Sequence, residues 1–156
     1  MSRAPLTVTK GHGTGNDFVL FLDPEDERAL RTEDYRWLAD RHVGVGGDGV
    51  IRVASTAASP EVSALLEQEP EAVWFMDYRN SDGSLAEMCG NGIRVFAEYL
   101  LHEGLVSLEP GSTLPIATRA GIVDVTKSQT GQYQADMGRW SFTGAVPLVL
   151  SRGLSF

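Results

Sequence analysis

The chain has 156 residues, 42% of them hydrophobic and 22% charged, a composition typical of a folded globular domain with a hydrophobic core. Its formal net charge of −8 argues against nucleic acid as a partner, because phosphate binding needs a dense Lys/Arg surface. No apolar run approaches the roughly 20 residues that span a bilayer, and residues 1–5 lack the features of a secretory signal, so we expect a cytoplasmic protein with no membrane partner.

The first third of the chain predicts two strands and a helix. Residues 6–10 alternate in polarity, 11–17 form a glycine-rich turn, and 18–22 are an apolar strand. Thr32 has the character of a helix N-cap, and Gly44 that of a C-cap. The buried stripe of this helix would consist of Tyr35, Leu38, Ala39 and His42.

The middle of the chain returns to strands. Residues 50–53 and 72–78 are strand-like, separated by a surface excursion at 54–71 with a short helix near 62–67. The Asp-Gly pair within residues 80–84 indicates a tight turn.

A second helix is predicted from Gly90 to Gly104, which would stop it. Its apolar stripe would consist of Ile93, Phe96, Ala97, Leu100 and Leu101. The remaining strands are predicted at 113–118, 121–126 and 132–137, with a turn at 128–131 and a last apolar run at 146–150. The order predicts an α+β fold rather than a parallel doubly wound sheet.

The segment from Gly44 to Gly49 fits the G-x-G-x-x-G dinucleotide pattern letter for letter. A dinucleotide site needs that pattern between a strand and the helix it opens, whereas here a helix precedes and a strand follows. We therefore interpret the segment as a helix-to-strand turn with several positive φ angles. A loop whose backbone amides line a ligand pocket is the other interpretation that stays open.

Cys89, the single cysteine, stands immediately before the second helix. One cysteine excludes an internal disulfide and a Cys-rich zinc site. The free amides and the dipole of a helix N-terminus favour the thiolate form of a cysteine there. Gly90 and Gly92 leave the backbone bare to a ligand, and Asn91 adds a polar group. A buried, inert cysteine is the alternative, but a purely structural helix start would favour Ser, Thr or Asp.

Four segments in this order resemble the N-terminal half of diaminopimelate epimerases. They are KGHGTGNDFVLFLD (10–23), RHVGVGGDGV (41–50), DYRNSDGSLAEMCGNGIRVFAEYL (77–100) and ATRAGIVDV (117–125). The resemblance implies a mixed, largely antiparallel sheet or barrel wrapped around a central helix, with residues 1–138 as the N-terminal domain. Residues 139–156 would begin the interdomain connection or form a truncated tail.

The resemblance further implies an epimerase that interconverts LL- and meso-diaminopimelate without a cofactor, in the lysine and peptidoglycan pathway. Two cysteines would face each other across the substrate α-carbon, and Cys89 would be one of them. Gly90 and Asn91 would bind the α-carboxylate or amino group, and Asn16 and Asn80 would contact the polar ends of the substrate. As alternatives, Asn16 would simply adopt positive φ and Asn80 would form an Asx-turn. No His or Asp/Glu spacing predicts a metal site.

The chain departs from the family in two respects. Many members carry Gln at the position of Gly49, where the glutamine touches substrate. The second cysteine belongs to a second domain, which this chain would lack, and the chain would be inactive alone. Its N-terminal domain would expose a strand edge that the family fills with the end of the full chain. Its partners would be the substrate and the missing C-terminal domain, and the resemblance also allows a homodimer.

Two other classes of function stay open at this stage. The chain could be a non-catalytic module that binds an amino acid or a partner domain with half of the pocket. It could also be a thiol enzyme in which Cys89 is a nucleophile and His12 or His42 its base, although neither histidine has an orienting partner in the sequence. His12 is otherwise interpreted as a structural hydrogen-bonding residue.

Overall fold

The computed structural model describes residues 5–138, which form seven strands, two α-helices and a short 3₁₀ helix. The strands are β1 (Thr9–Gly13), β2 (Asn16–Leu22), β3 (Gly49–Ser55), β4 (Trp74–Asn80), β5 (Thr113–Thr118), β6 (Gly121–Lys127) and β7 (Tyr133–Ala135). The helices are α1 (Thr32–Ala39) and α2 (Gly90–His102), and the 3₁₀ helix is Ser63–Glu67. The predicted run at 146–150 and segment 139–156 lie outside the described residues.

The strands form one sheet in sequential order from β1 to β7. Neighbouring strands pair antiparallel except β2 with β3 and β4 with β5, which pair parallel. The edge strands β1 and β7 both contact α2, so the sheet curls around that helix. The predicted mixed, largely antiparallel sheet wrapped around a central helix is therefore confirmed.

Two apolar layers lie on opposite faces of this sheet. On the α2 side, Ile93, Phe96 and Leu100 are fully buried and pack against inward residues of β2 to β6. On the other side, Tyr35 and Leu38 of α1 cover a smaller cluster on β2 and β3. Burial of each large side chain stabilises the fold by about 1.5–3 kcal/mol, so the longer α2 contributes most of the helical share of the core.

The first strand lies later in the chain than the predicted 6–10. β1 and β2 are joined by the two-residue turn Thr14-Gly15, with φ of 56° and 80°, which is typical of a type I′ hairpin. Gly11 and Gly13 belong to the strand rather than to the turn. A Cβ on Gly11 would lie 2.8 Å from Val95 Cγ1 on α2, so this glycine is needed for close packing.

Helix α1 differs from its prediction at both ends. Thr32 is the first helical residue rather than the N-cap, and the N–H of Arg31 donates to the Asp34 carboxylate at 2.8 Å. Ala39 ends the helix, and His42 is exposed rather than part of the buried stripe. The other three predicted stripe residues are buried.

The glycine-rich loop connects α1 to β3. A helix therefore precedes the loop and a strand follows it, which is the reverse of the order in a dinucleotide site. The expectation of several positive φ angles is wrong, since only Gly46 (φ 85°) among these glycines has one. The C-cap of α1 is Asp40 rather than Gly44, and a Cβ on Gly44 would lie 1.7 Å from the Trp37 carbonyl oxygen. Close approach of the backbone, rather than unusual φ, explains why this loop is rich in glycine.

The other elements fall near their predicted bounds. The strand predicted at 72–78 begins two residues later in the structure, and the strand predicted at 132–137 is shorter. The short helix predicted near 62–67 is confirmed as a 3₁₀ helix, but Thr56, Ser59 and Val62 are buried, so this excursion is only partly a surface feature. The second helix begins at Gly90 as predicted, and Gly104 (φ 68°) follows it.

Candidate functional site

Cys89 is the N-cap residue of α2, in extended conformation with φ −140° and ψ 122°. Its Sγ accepts the Gly92 N–H at 3.4 Å and lies 3.6 Å from Asn16 Oδ1. The side chain is half-buried. The predicted thiol at the helix start is therefore a capping group that keeps partial access to solvent.

The first amides of α2 are available to a ligand beside this thiol. The N–H groups of Gly90 and Asn91 have no intrahelical acceptor, because they belong to the first turn. Gly90 has an open approach, since a Cβ there would meet only the Met137 side chain at 3.5 Å. These amides and the helix dipole suit a carboxylate.

Asn16 joins the site from the start of β2. Its Oδ1 accepts from Asn91 Nδ2 at 3.4 Å and faces the Cys89 thiol, and its Nδ2 donates to Asp48 Oδ2 at 2.7 Å. Asn16 is not among the residues with positive φ, so the turn-residue alternative is wrong. The β1–β2 hairpin thus delivers a polar side chain to the thiol across 73 residues of sequence.

A cluster of charged residues next to Asn16 was not predicted from the sequence. Arg41 donates to both Asp17 oxygens, at 2.7 and 2.9 Å, and to Asp48 at 3.0 Å. Lys10 bonds Asp17 at 2.8 Å. The hydrogen bond from Arg41, followed by that from Lys10, holds the pKa of Asp17 well below its usual range. In the sequence, only the Gly-Asn-Asp and Gly-Asp-Gly turns pointed to these residues. Neither turn indicated that the two segments contact each other in the fold.

Arg94 of α2 supports the same site. Its guanidinium donates to Gly90 O at 3.3 Å, to Thr14 Oγ1 at 3.2 Å and to the side-chain oxygen of Asn91. It therefore connects the tip of the β1–β2 hairpin to the first turn of α2.

Asn80 lies apart from the contacts that join the other predicted residues. It ends β4, opposite Gly49 of β3, which in turn lies opposite Phe18 of β2, so it shares a sheet edge with the start of β2. Its exposed side chain donates to Ser84 Oγ at 3.0 Å within its own turn. The contact of Asn80 with substrate therefore stays a prediction.

Gly49 occupies a place where a side chain would need rearrangement. A Cβ there would lie 2.4 Å from the Tyr78 ring and 2.7 Å from the Arg79 carbonyl oxygen. Burial, and then the charges of Cys89 and Asp48, raise the pKa of Tyr78. The Tyr78 ring thus occupies the space beside the thiol into which a side chain at position 49 would project.

The histidines do not form a pair with the thiol in the described part of the chain. His12 on β1 and His42 after α1 are both exposed, and the hydrogen bonds of the Cys89 thiol in this part of the chain join it to Asn16 and Gly92. Residues 5–138 also hold no group of three metal-binding side chains. None of the helices among them is long and apolar enough to cross a bilayer.

An ion-pair network holds the segment that leads from β4 into Cys89. Asp77, only 1% exposed, accepts from Arg52 at 2.8 Å and from Arg119 at 2.5 Å. Arg119 also donates to the carbonyls of Tyr78 and Ala86, at 3.0 and 3.3 Å. The β5–β6 hairpin thereby ties together both sides of the loop before α2.

Comparison with known proteins gives one family. The family model described as diaminopimelate epimerase matches residues 8–143. A diaminopimelate epimerase of Streptomyces coelicolor is 49% identical over 134 residues, 86% of this chain and 44% of that protein. One of Thermobifida fusca is 47% identical over 134 residues, 85% of this chain and 48% of that protein. The chain thus spans about half the length of the curated relatives it matches.

A solved structure gives an independent view of the fold. The PhzF-family phenazine biosynthesis protein of Bacillus anthracis superimposes with a TM-score of 0.55 at 22% identity. The match covers 82% of this chain and 38% of that one. At this identity the likeness concerns the fold, and it agrees with the curled mixed sheet around α2.

Proposed function

The chain belongs to the diaminopimelate epimerase family, and on this premise we propose that Cys89 is one of two acid–base groups that interconvert LL- and meso-diaminopimelate. The observation that carries the proposal is the position of the thiol as N-cap of α2, beside bare first-turn amides. The proposed setting is lysine and peptidoglycan synthesis in the cytoplasm.

The proposed chemistry is an inversion at one α-carbon. A thiolate on one face takes the α-proton, and the electron pair delocalises into the carboxylate. A thiol on the opposite face then delivers a proton to the same carbon. The N–H groups of Gly90 and Asn91 hold the carboxylate oxygens, where negative charge grows as the proton leaves. No cofactor takes part in this scheme.

The second acid–base group is proposed to come from a further domain that closes over α2. The reason is the single cysteine of the 156 residues, since a one-cysteine surface can act on only one face of the α-carbon. Closure would exclude water and strengthen the amide contacts with the carbanion. Alone, the chain would hold half a pocket and would not turn over.

Asn16 and Asn80 are proposed to bind the polar ends of the substrate. For Asn16 the support is its contact with Cys89 and Asn91. For Asn80 the support is the family motif and the sheet edge that it shares with the start of β2. An Asn80→Ala variant should therefore raise KM more than it lowers kcat if the contact is a binding one.

The test is exchange of the substrate α-proton with solvent deuterium, followed by NMR. The chain is mixed with the C-terminal half of the Streptomyces coelicolor relative, and each half is also assayed alone. We expect exchange with both halves only. Interconversion of the LL and meso isomers, read from the same spectra, should be abolished by Cys89→Ala and Cys89→Ser and unchanged in Val73→Thr, an exposed position. Interconversion that survives Cys89→Ala would refute the proposal, since inversion needs an acid–base group on each face.

The single cysteine also favours a second candidate, a binding module for an amino acid or a partner domain. Saturable binding of diaminopimelate to the chain alone, with no exchange in any mixture, would select it. Calorimetric titration with Asn91→Ala as the site variant separates such binding from nonspecific association.

A further inference from the structure

The side-chain amide of Asn16 is held at both ends. Its Nδ2 donates to Asp48 Oδ2 at 2.7 Å, and its Oδ1 accepts from Asn91 Nδ2 at 3.4 Å. An ionised carboxylate can only accept hydrogen bonds, so the NH₂ end of the amide must face Asp48. The carbonyl end is thereby turned toward Cys89 Sγ, 3.6 Å away.

Asp48 is itself fixed by its neighbours. The Asp17 N–H donates to Asp48 Oδ2 at 3.2 Å, and the Asp48 N–H donates to Asp17 Oδ1 at 3.1 Å. Arg41 bridges the two carboxylates. These reciprocal bonds fix the orientation of the Asp48 carboxylate. The loop therefore also fixes which end of the Asn16 amide faces Asp48.

A carbonyl oxygen beside sulfur discriminates between the two forms of the thiol. It accepts a hydrogen bond from S–H, whereas it repels the negative charge of a thiolate. Sulfur also accepts the Gly92 N–H at 3.4 Å, which favours the thiolate. The other charged or titratable groups around the site are Arg94 on α2, Tyr78 on β4, and the cluster of Lys10, Asp17 and Arg41.

We propose that Asp48, acting through Asn16, is a positioning residue that keeps Cys89 in its S–H form in the unliganded site. From this state Cys89 is the proton donor for the isomer whose α-hydrogen faces the opposite group, which starts as the base. Cys89 is left as the thiolate after that step, so the two roles are exchanged in the reverse direction. The role as donor rests on the proposed function, whereas the protonation state of the thiol does not depend on it.

The first test is the Raman spectrum of the wild-type chain at neutral pH. We expect an S–H stretching band, shifted by hydrogen bonding and absent in Cys89→Ala. Because Cys89 is the single cysteine, the band is unambiguous and needs no folded variant other than this control. A spectrum without the band at neutral pH would overturn the proposal.

The second test is the rate of alkylation of Cys89 by iodoacetamide as a function of pH. Asn16→Ala and Asp48→Asn should each raise the rate at neutral pH by about threefold or more and move the pH profile to lower pH. A mere loosening of the structure would raise the plateau without moving the profile. Asp124→Asn, which removes an exposed carboxylate on β6, is the matched control and should leave both unchanged.

The double variant separates a relay through Asn16 from the direct charge of Asp48. If Asp48 acts through the amide, adding Asp48→Asn to Asn16→Ala changes the rate by less than about twofold. Full additivity, or a slower rate in Asn16→Ala, would refute the relay. Both the Raman and the alkylation measurements need no turnover, so they determine the protonation state of the thiol even if the deuterium-exchange test fails.

Discussion

Replacing Asp77 by asparagine removes the anion at the centre of the network that supports the loop before Cys89. The carboxylate is 1% exposed and contacts three guanidinium groups, of which those of Arg52 and Arg119 are 8% and 11% exposed. Arg79 is the third, at 3.3 Å. The variant leaves two buried cations without their shared counter-charge, which is more costly than the loss of a surface pair.

The expected cost is about 3 kcal/mol, the lower end of the range for breaking a buried ion pair. The lower end applies because Arg119 keeps Glu61 and two backbone carbonyls, and Arg52 keeps the Asp23 carbonyl. Since small domains are stable by about 5–15 kcal/mol, this loss is a large share of the total. Urea unfolding followed by circular dichroism measures it.

The matched control is Glu61→Gln, which removes another carboxylate bonded to the same Arg119. The Glu61 side chain is 44% exposed, so solvent screens the pair and the cost should stay below about 1 kcal/mol. A loss below about 1 kcal/mol for Asp77→Asn, or equal losses for the two variants, would refute the argument from burial.

Acidification gives a related expectation. Burial opposes the ionisation of Asp77, but its bonds to Arg119, Arg52 and Arg79 lower its pKa in the folded chain. The contribution of Asp77 to the free energy of unfolding is therefore complete above its unfolded-state pKa of about 4, and it is lost as the pH falls through the lower folded-state pKa. Urea midpoints of wild type and Asp77→Asn should therefore converge below about pH 4; a constant gap would contradict this. Cys89→Ser should be about 1 kcal/mol more stable than Cys89→Ala, because a hydroxyl caps the Gly92 N–H, although neither variant should interconvert the two isomers; equal urea midpoints would refute the capping role. Gly90→Ala should gain up to about 1 kcal/mol of stability from helix propensity, since its Cβ meets only Met137, yet raise KM in the two-half assay by narrowing the approach to the first amide. An unchanged KM would place the carboxylate elsewhere.

Local patterns in the sequence determined the helix that carries the thiol. The period of Ile93, Phe96, Ala97 and Leu100 predicted α2, and the glycines around Asn91 marked its start, because a helix end depends on residues within one turn. The α+β class followed from the order of such segments. The β1 strand was misplaced because glycine usually marks turns, whereas Gly11 makes room for α2.

Only the tertiary structure decided what surrounds Cys89. Asn16 and Asp48 meet across 32 residues, and Asn16 and Asn91 across 75, and each of these residues alone looks like an ordinary turn residue. Their contact follows from the parallel pairing of β2 with β3 and the packing of α2 inside the curled sheet. The sequence thus determined a thiol at a helix start, and the fold determined which polar groups face it, because long-range contacts leave no periodic trace along the chain.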